Sequence, residues 1–128
     1  MAIKTPQTVV NPTLSLDPAA TTVAATFYTA GTGGGIISSI CASNTDDTNP
    51  VTLNVYLNDT VADFLIGSYT LAANANGVEV LNLTDFAFLT DQEGLLVAQG
   101  NIIKIAADST IAVGKAVKLV GFGGEYGA

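Results

Sequence analysis

The stretch that decides the fold is "VTLNVYL", residues 51–57. Val51, Leu53, Val55 and Leu57 fall on one side of an extended chain, and Thr52, Asn54 and Tyr56 on the other. A period of two marks a strand with one face in a core and one in solvent. A helix over the same residues would scatter its apolar side chains around the axis.

Upstream, "TTVAATFYTA" (21–30) is rich in β-branched and aromatic residues, and "GIISSICA" (35–42) is a short apolar run between turn clusters. Downstream come "DFLIGSYTLA" (63–72), whose Gly67 marks a bulge, and "VEVLNL" (78–83) after the turn "ANANG". "GNIIKIAA" (100–107), the turn "DST" and "IAVGKAVKLVGF" (111–122) read as a closing hairpin, with Gly114 interrupting the last strand. Residues 84–99 read as a long connection in which "DQEG" turns and Phe86, Phe88 and Leu89 plug the core. No stretch combines sustained helical spacing with caps. The pattern predicts an all-β chain: a single antiparallel β-sandwich, jelly-roll or immunoglobulin-like, of seven to eight strands over residues 21–128. Its core is predicted to hold Val51, Leu53, Val55, Leu57, Ile103, Ile105, Val117 and Leu119.

Residues 1–20 differ. Pro6, Pro12 and Pro18 recur every six residues, and proline has no N–H for a ladder. Between them lie Val9, Val10, Leu14 and Leu16, an unusual set for a free tail. Two readings stand. Either this is an extended N-terminal arm whose four apolar residues dock on a partner, or it is an edge strand folded onto its own domain.

Composition narrows the function. Only 12% of the 128 residues are charged, against roughly 25% in an average soluble domain. Eleven acids face four lysines, with no Arg and no His, for a net charge of −7. Phosphate backbones and anionic bilayers are bound through clustered Lys and Arg, so neither nucleic acid nor membrane is expected as a partner. The uncharged-polar surface fits a chain packed against copies of itself or against other proteins, so a homo-oligomer is expected. The single Cys41 allows no intrachain disulfide, "MAIKTPQTVVNP" has no apolar segment of a signal peptide, and no run approaches the roughly 20 residues of a membrane span.

The candidates for chemistry are few. "GTGGGIISS" (31–39) lacks the lysine of a phosphate loop and precedes a β-branched run rather than a helix, so it reads as a hairpin loop before a strand. "SNTDDTNP" (43–50) offers Asp46 and Asp47 beside Asn44 and Asn49. These are oxygen ligands of the kind calcium takes, but without EF-hand spacing, and they are also ordinary turn residues. Asp85, Asp91 and Glu93 would need a cleft to act as paired carboxylates, and the chain has no Trp to line one for sugar. Without His there is no imidazole base, and Cys41 has no basic neighbour in sequence to activate it, so it reads as a small buried residue. Tyr28, Tyr56, Tyr69 and Tyr126 are the sugar-stacking candidates of a lectin reading. No catalytic residue, cofactor or metal is expected.

The order of these elements resembles small β-sandwich virion proteins of tailed bacteriophages. Those proteins often show a Y-T-a-x-G turn, an apolar strand ending in x-C-N or A-S-N, a V-T-L-x-V strand, and a late G-D-x-I-x-x-x-A-S hairpin before a terminal V-x-V-x-G strand. The matching residues are Tyr28, Thr29, Gly31, Ala42, Ser43, Asn44, Val51, Thr52, Leu53 and Val55, then Gly100, Ile102, Ala107 and Gly121. Asn101 stands where an Asp is common. The resemblance spans residues 21–122 and rests on strands and turns, not on a catalytic motif. It implies a non-enzymatic virion protein, assembled in a host cytoplasm, with the major capsid protein or other virion proteins as partners. The acidic, Arg-free composition favours a capsid decoration or cement protein on the outer head. A tail or head-tail adaptor protein and a carbohydrate- or receptor-binding module are the alternatives.

Overall fold

Alternating residues build the fold: the computed structural model of the chain is all-β, with two antiparallel sheets. It describes residues 8–17, 23–73, 77–81, 94–108 and 111–127. Ten strands lie among them: β1 (Thr8–Val10), β2 (Thr13–Leu16), β3 (Ala25–Thr29), β4 (Gly35–Asn44), β5 (Val51–Asn58), β6 (Asp63–Leu71), β7 (Glu79–Leu81), β8 (Leu95–Val97), β9 (Ile102–Ala107) and β10 (Val117–Glu125). In one sheet β10 pairs with β4 on one side and with both β1 and β2 on the other; β7 and β8 share the far edge of β4. The other sheet runs β3-β9-β5-β6.

The inner faces of both sheets feed one core. Ile37, Ile40, Leu16 and Val117 come from the first sheet and Leu53, Val55, Ile103 and Ile105 from the second. Seven of the eight predicted core residues are buried, and Leu57, towards the end of β5, packs partly buried against them. The bulge at Gly67 is present: Val55 faces Gly67 and Tyr56 faces Leu65, which leaves Ile66 as the extra residue.

Three expectations of connectivity are corrected. The glycine loop joins β3 to β4, which lie in different sheets, so it is a crossing and not a hairpin loop. Likewise β9 and β10 belong to different sheets and form no closing hairpin. Ile111, buried in the core, anchors their connection, and Gly114 takes φ +79° in a turn ahead of β10 instead of interrupting it. The plugs Phe86, Phe88 and Leu89 lie outside the described residues.

Residues 8–16 follow the second of the two readings. Thr8–Val10 pair with 123–125, and Thr13–Leu16 pair with 117–120. The break between them is Asn11-Pro12, and it remains bonded: the Gly121 N–H donates to the Pro12 carbonyl at 2.8 Å, and Asn11 Nδ2 donates to the Gly121 carbonyl at 3.1 Å. Proline at an edge loses a donor that this sheet does not use. Leu16 is completely buried, Val10 and Leu14 pack partly buried against the core, and Val9 is exposed. A boundary at residue 20 therefore does not separate these strands from the domain, because Leu16 is one of its core residues. The extra strands beyond the expected seven or eight come from this split edge and from β7 and β8 sharing one side of β4.

Candidate functional site

The glycine loop is the first candidate, and two of its amides, those of Gly31 and Gly34, are already in use. Gly34, at φ +78°, closes a turn by donating to the Gly31 carbonyl at 2.9 Å. Glu125, at the end of β10, accepts from the Gly31 N–H at 3.2 Å and from the Tyr28 hydroxyl at 3.0 Å. Tyr126 N donates to the Gly34 carbonyl at 3.0 Å. A Cβ on Gly33 would overlap the carbonyls of Tyr126 and Gly127, and one on Gly35 would overlap the Tyr28 hydroxyl. Gly33 thus makes room for the chain following β10, and Gly35 for the Tyr28 side chain. Burial, then the bond to Glu125 and its charge, push the Tyr28 phenol above its ordinary range.

The acidic loop is the second candidate. Asp46, almost fully buried, turns its carboxylate onto its own backbone, with Oδ1 accepting from Thr48 N at 2.8 Å and Asn49 N at 3.0 Å. Those two bonds hold its pKa below the usual carboxylate range. Asn44 Oδ1 accepts from Asp46 N at 3.0 Å, and its Nδ2 donates to the carbonyls of Asn49 and Ala72. Asp47 points away to Lys115 at 3.8 Å. Two adjacent acids in an extended chain diverge, so this loop does not converge on one point. Among the described residues no three His, Cys, Asp or Glu side chains come together as a metal-holding group. Asp85, Asp91 and Glu93 lie outside the described residues.

A third loop was not singled out from sequence. At the β5–β6 tip, Asp59 Oδ1 accepts from Val61 N and Ala62 N, which lowers its pKa. Asn58 Oδ1 accepts from Thr60 N at 2.7 Å, and Thr60 adopts φ +77°. The legible signal was an Asn-Asp pair between two strands, the usual composition of a tight turn.

Cys41 is half-buried, not a core residue: it lies between the inward Ile40 and Ala42 and faces outward from β4, level with Val120 and Val80. Of the tyrosines, Tyr28 is buried and Tyr69 packs against the core, whereas Tyr56 projects from the outer face of the β3-β9-β5-β6 sheet. That outer face is polar and laterally bonded: Thr52 with Thr70 at 2.9 Å, Ser68 with Asn54 at 2.7 Å, and Lys104 with Asp63 at 3.9 Å.

The other sheet's outer face carries an apolar patch, beyond which Lys118 lies level with Ser15 and Ser43. Register places Val9, Gly124, Ile36 and Leu96 in one row across it, Phe122 in the next, and Val120, Cys41 and Val80 beyond. Val9, Val80, Phe122 and Leu96 are 79%, 66%, 46% and 41% exposed. This patch is not legible in sequence, because it assembles from single residues of strands that are distant along the chain. No protein-family model matches the chain, and no curated protein matches it as a relative.

Proposed function

We propose that the chain is a non-enzymatic structural protein of a tailed-bacteriophage virion: a β-sandwich of jelly-roll or immunoglobulin-like type that decorates or cements the outside of the head. The observation that carries this reading is the occupation of its polar motifs. The Gly31 amide, the Asp46 and Asp59 carboxylates and the Asn44 amide all close turns or sheet junctions of the chain itself. Residues with such duties serve shape, and the molecule's distinctive surfaces are broad sheet faces suited to contact with other proteins. The order of strands and turns shared with small virion sandwiches supports the same reading, as does a net charge of −7 without Arg, which suits an exterior better than a DNA-facing lumen. The major capsid protein is the partner in this reading.

The test is rebinding. Purified chain mixed with heads that lack it should co-sediment with heads and not with isolated tails. Binding to tails alone would move the protein to a tail or adaptor position, and binding to neither would overturn the reading. One observation favours a second reading: Tyr56 lies on a polar outer face, beside the paired Asn54 and Ser68, as a sugar-stacking residue would. Specific, Tyr56-dependent signals on a glycan array would establish it.

A further inference from the structure

The apolar patch described above carries the features of a self-complementary contact. Its strands bear two acids, and both are engaged elsewhere: Glu125 with Tyr28 and Gly31, and Glu79 with the Ala72 N–H at 2.9 Å. Glu79 is level with the buried Ala42 and so lies on the inner side, whereas Lys118, level with Ser15 and Ser43, lies on the outer side. In a chain of eleven acids, these strands present no carboxylate outward. The one charge these strands present outward is Lys118, so two copies packed through this face bring no strand carboxylates together.

The face also holds a knob beside a hole. Phe122 stands out from β10, while two residues on, Gly124 leaves the row between Val9 and Ile36 without a side chain. The result is a cleft of about 450 Å³ lined by Val9, Ile36 and Phe122 together with the polar Thr8, Asn11 and Ser38. Positions two apart on a strand lie roughly 6.6 Å apart on the same face. A two-fold axis crossing β10 at Gly123 would carry each Phe122 over the other copy's Gly124. This is the reciprocal contact that an isologous interface requires.

The size is sufficient. Four strands by the nine residues of β10 cover about 19 by 30 Å. That is roughly 570 Å² in projection. A standard interface buries about 800 Å² per partner, an accessible area that always exceeds its own projection.

We infer that the protein forms a two-fold dimer in which the β1/β2-β10-β4-β7/β8 sheets pack face to face, with Phe122 of each copy seated in the Gly124 cleft of the other. Lys118 of the two copies then lies at opposite ends of the interface. The polar sheet, with Tyr56, Asn54 and Thr52, faces outward on both sides. The inference stands apart from the virion reading: a monomer overturns it and leaves that reading intact.

The experiment is light scattering behind size exclusion on the full chain, over a concentration series, with circular dichroism and thermal melts on every variant. Wild type is expected at twice the 13.0 kDa chain mass. Phe122→Asp is expected to be monomeric with unchanged secondary structure. Val9→Asp, on the exposed edge, is expected to weaken the dimer at least tenfold and keeps the test informative if Phe122→Asp does not fold. Thr52→Asp, on the other sheet's outer face, is expected to leave the dimer intact. A monomeric wild type, a ring of three or more copies, a dimer that survives both face substitutions, or one that Thr52→Asp dissociates would each overturn the proposal. A wild-type monomer whose binding to heads is lost in Phe122→Asp would assign the face to a virion partner instead.

Discussion

At the scale of single residues, position in the alternation decides cost. Leu53 is wholly buried at the centre of β5, so Leu53→Ala removes packed methyl groups and leaves a cavity, with an expected loss of about 2–5 kcal/mol in urea unfolding. A loss under about 0.5 kcal/mol would put Leu53 on the wrong face. Tyr28 gives a pH prediction. Its phenol is buried and bonded to a carboxylate, so its pKa in the folded state lies above the ordinary 10.0. For a raised pKa the folded state holds its proton more tightly; that stabilisation is complete below about pH 10 and is lost as pH rises towards the folded value. Wild type should therefore lose stability as pH rises above about 10 more steeply than Tyr28→Phe. Parallel losses would show that the buried phenol contributes nothing. The period-two residues were legible because their burial follows from local geometry. The role of Gly33 was not, since what fills its space is the chain following β10, Tyr126 and Gly127, more than ninety residues away.

At the scale of elements, the N-terminal strands and the acidic loop each yield a test. β1 and β2 cover one edge of β10, and Leu16 sits in the core. Deleting residues 1–17 should bare a long strand edge and open a cavity, so the truncated chain is expected to melt well below the full chain or to aggregate. A truncated chain that melts like the full one would show that these strands are a detachable arm. The acidic loop should be indifferent to calcium, because Asp46 is committed to Thr48 and Asn49 while Asp47 points to Lys115. Melts with EDTA and with millimolar calcium should coincide; an upward shift with calcium, as ligand linkage would produce, would refute this. Strand positions were readable because turn residues punctuate them. Which sheet each strand joins was not. A hairpin and a crossing between sheets use the same Gly, Asp and Ser residues, and Ile111, ahead of β10, is buried in the core.

At the scale of the whole molecule, the two outer faces divide the work. One is laterally hydrogen-bonded and polar; the other carries an apolar patch and no outward carboxylate in its strands. Only the polar pattern of β5 was legible in sequence, because the apolar face assembles from rows across several strands. A chain with 12% charged residues and a net charge of −7 keeps such a face covered most readily inside an assembly. The central claim is that this fold is a building part of a virion, with its polar motifs serving its own shape. The measurement that tests it most directly is a localised reconstruction of the intact particles whose genome encodes the chain, with mass spectrometry of the same preparation. The account predicts the chain among the particle proteins and density for its two sheets on the outer surface of the head. Absence of the chain from purified particles would contradict it.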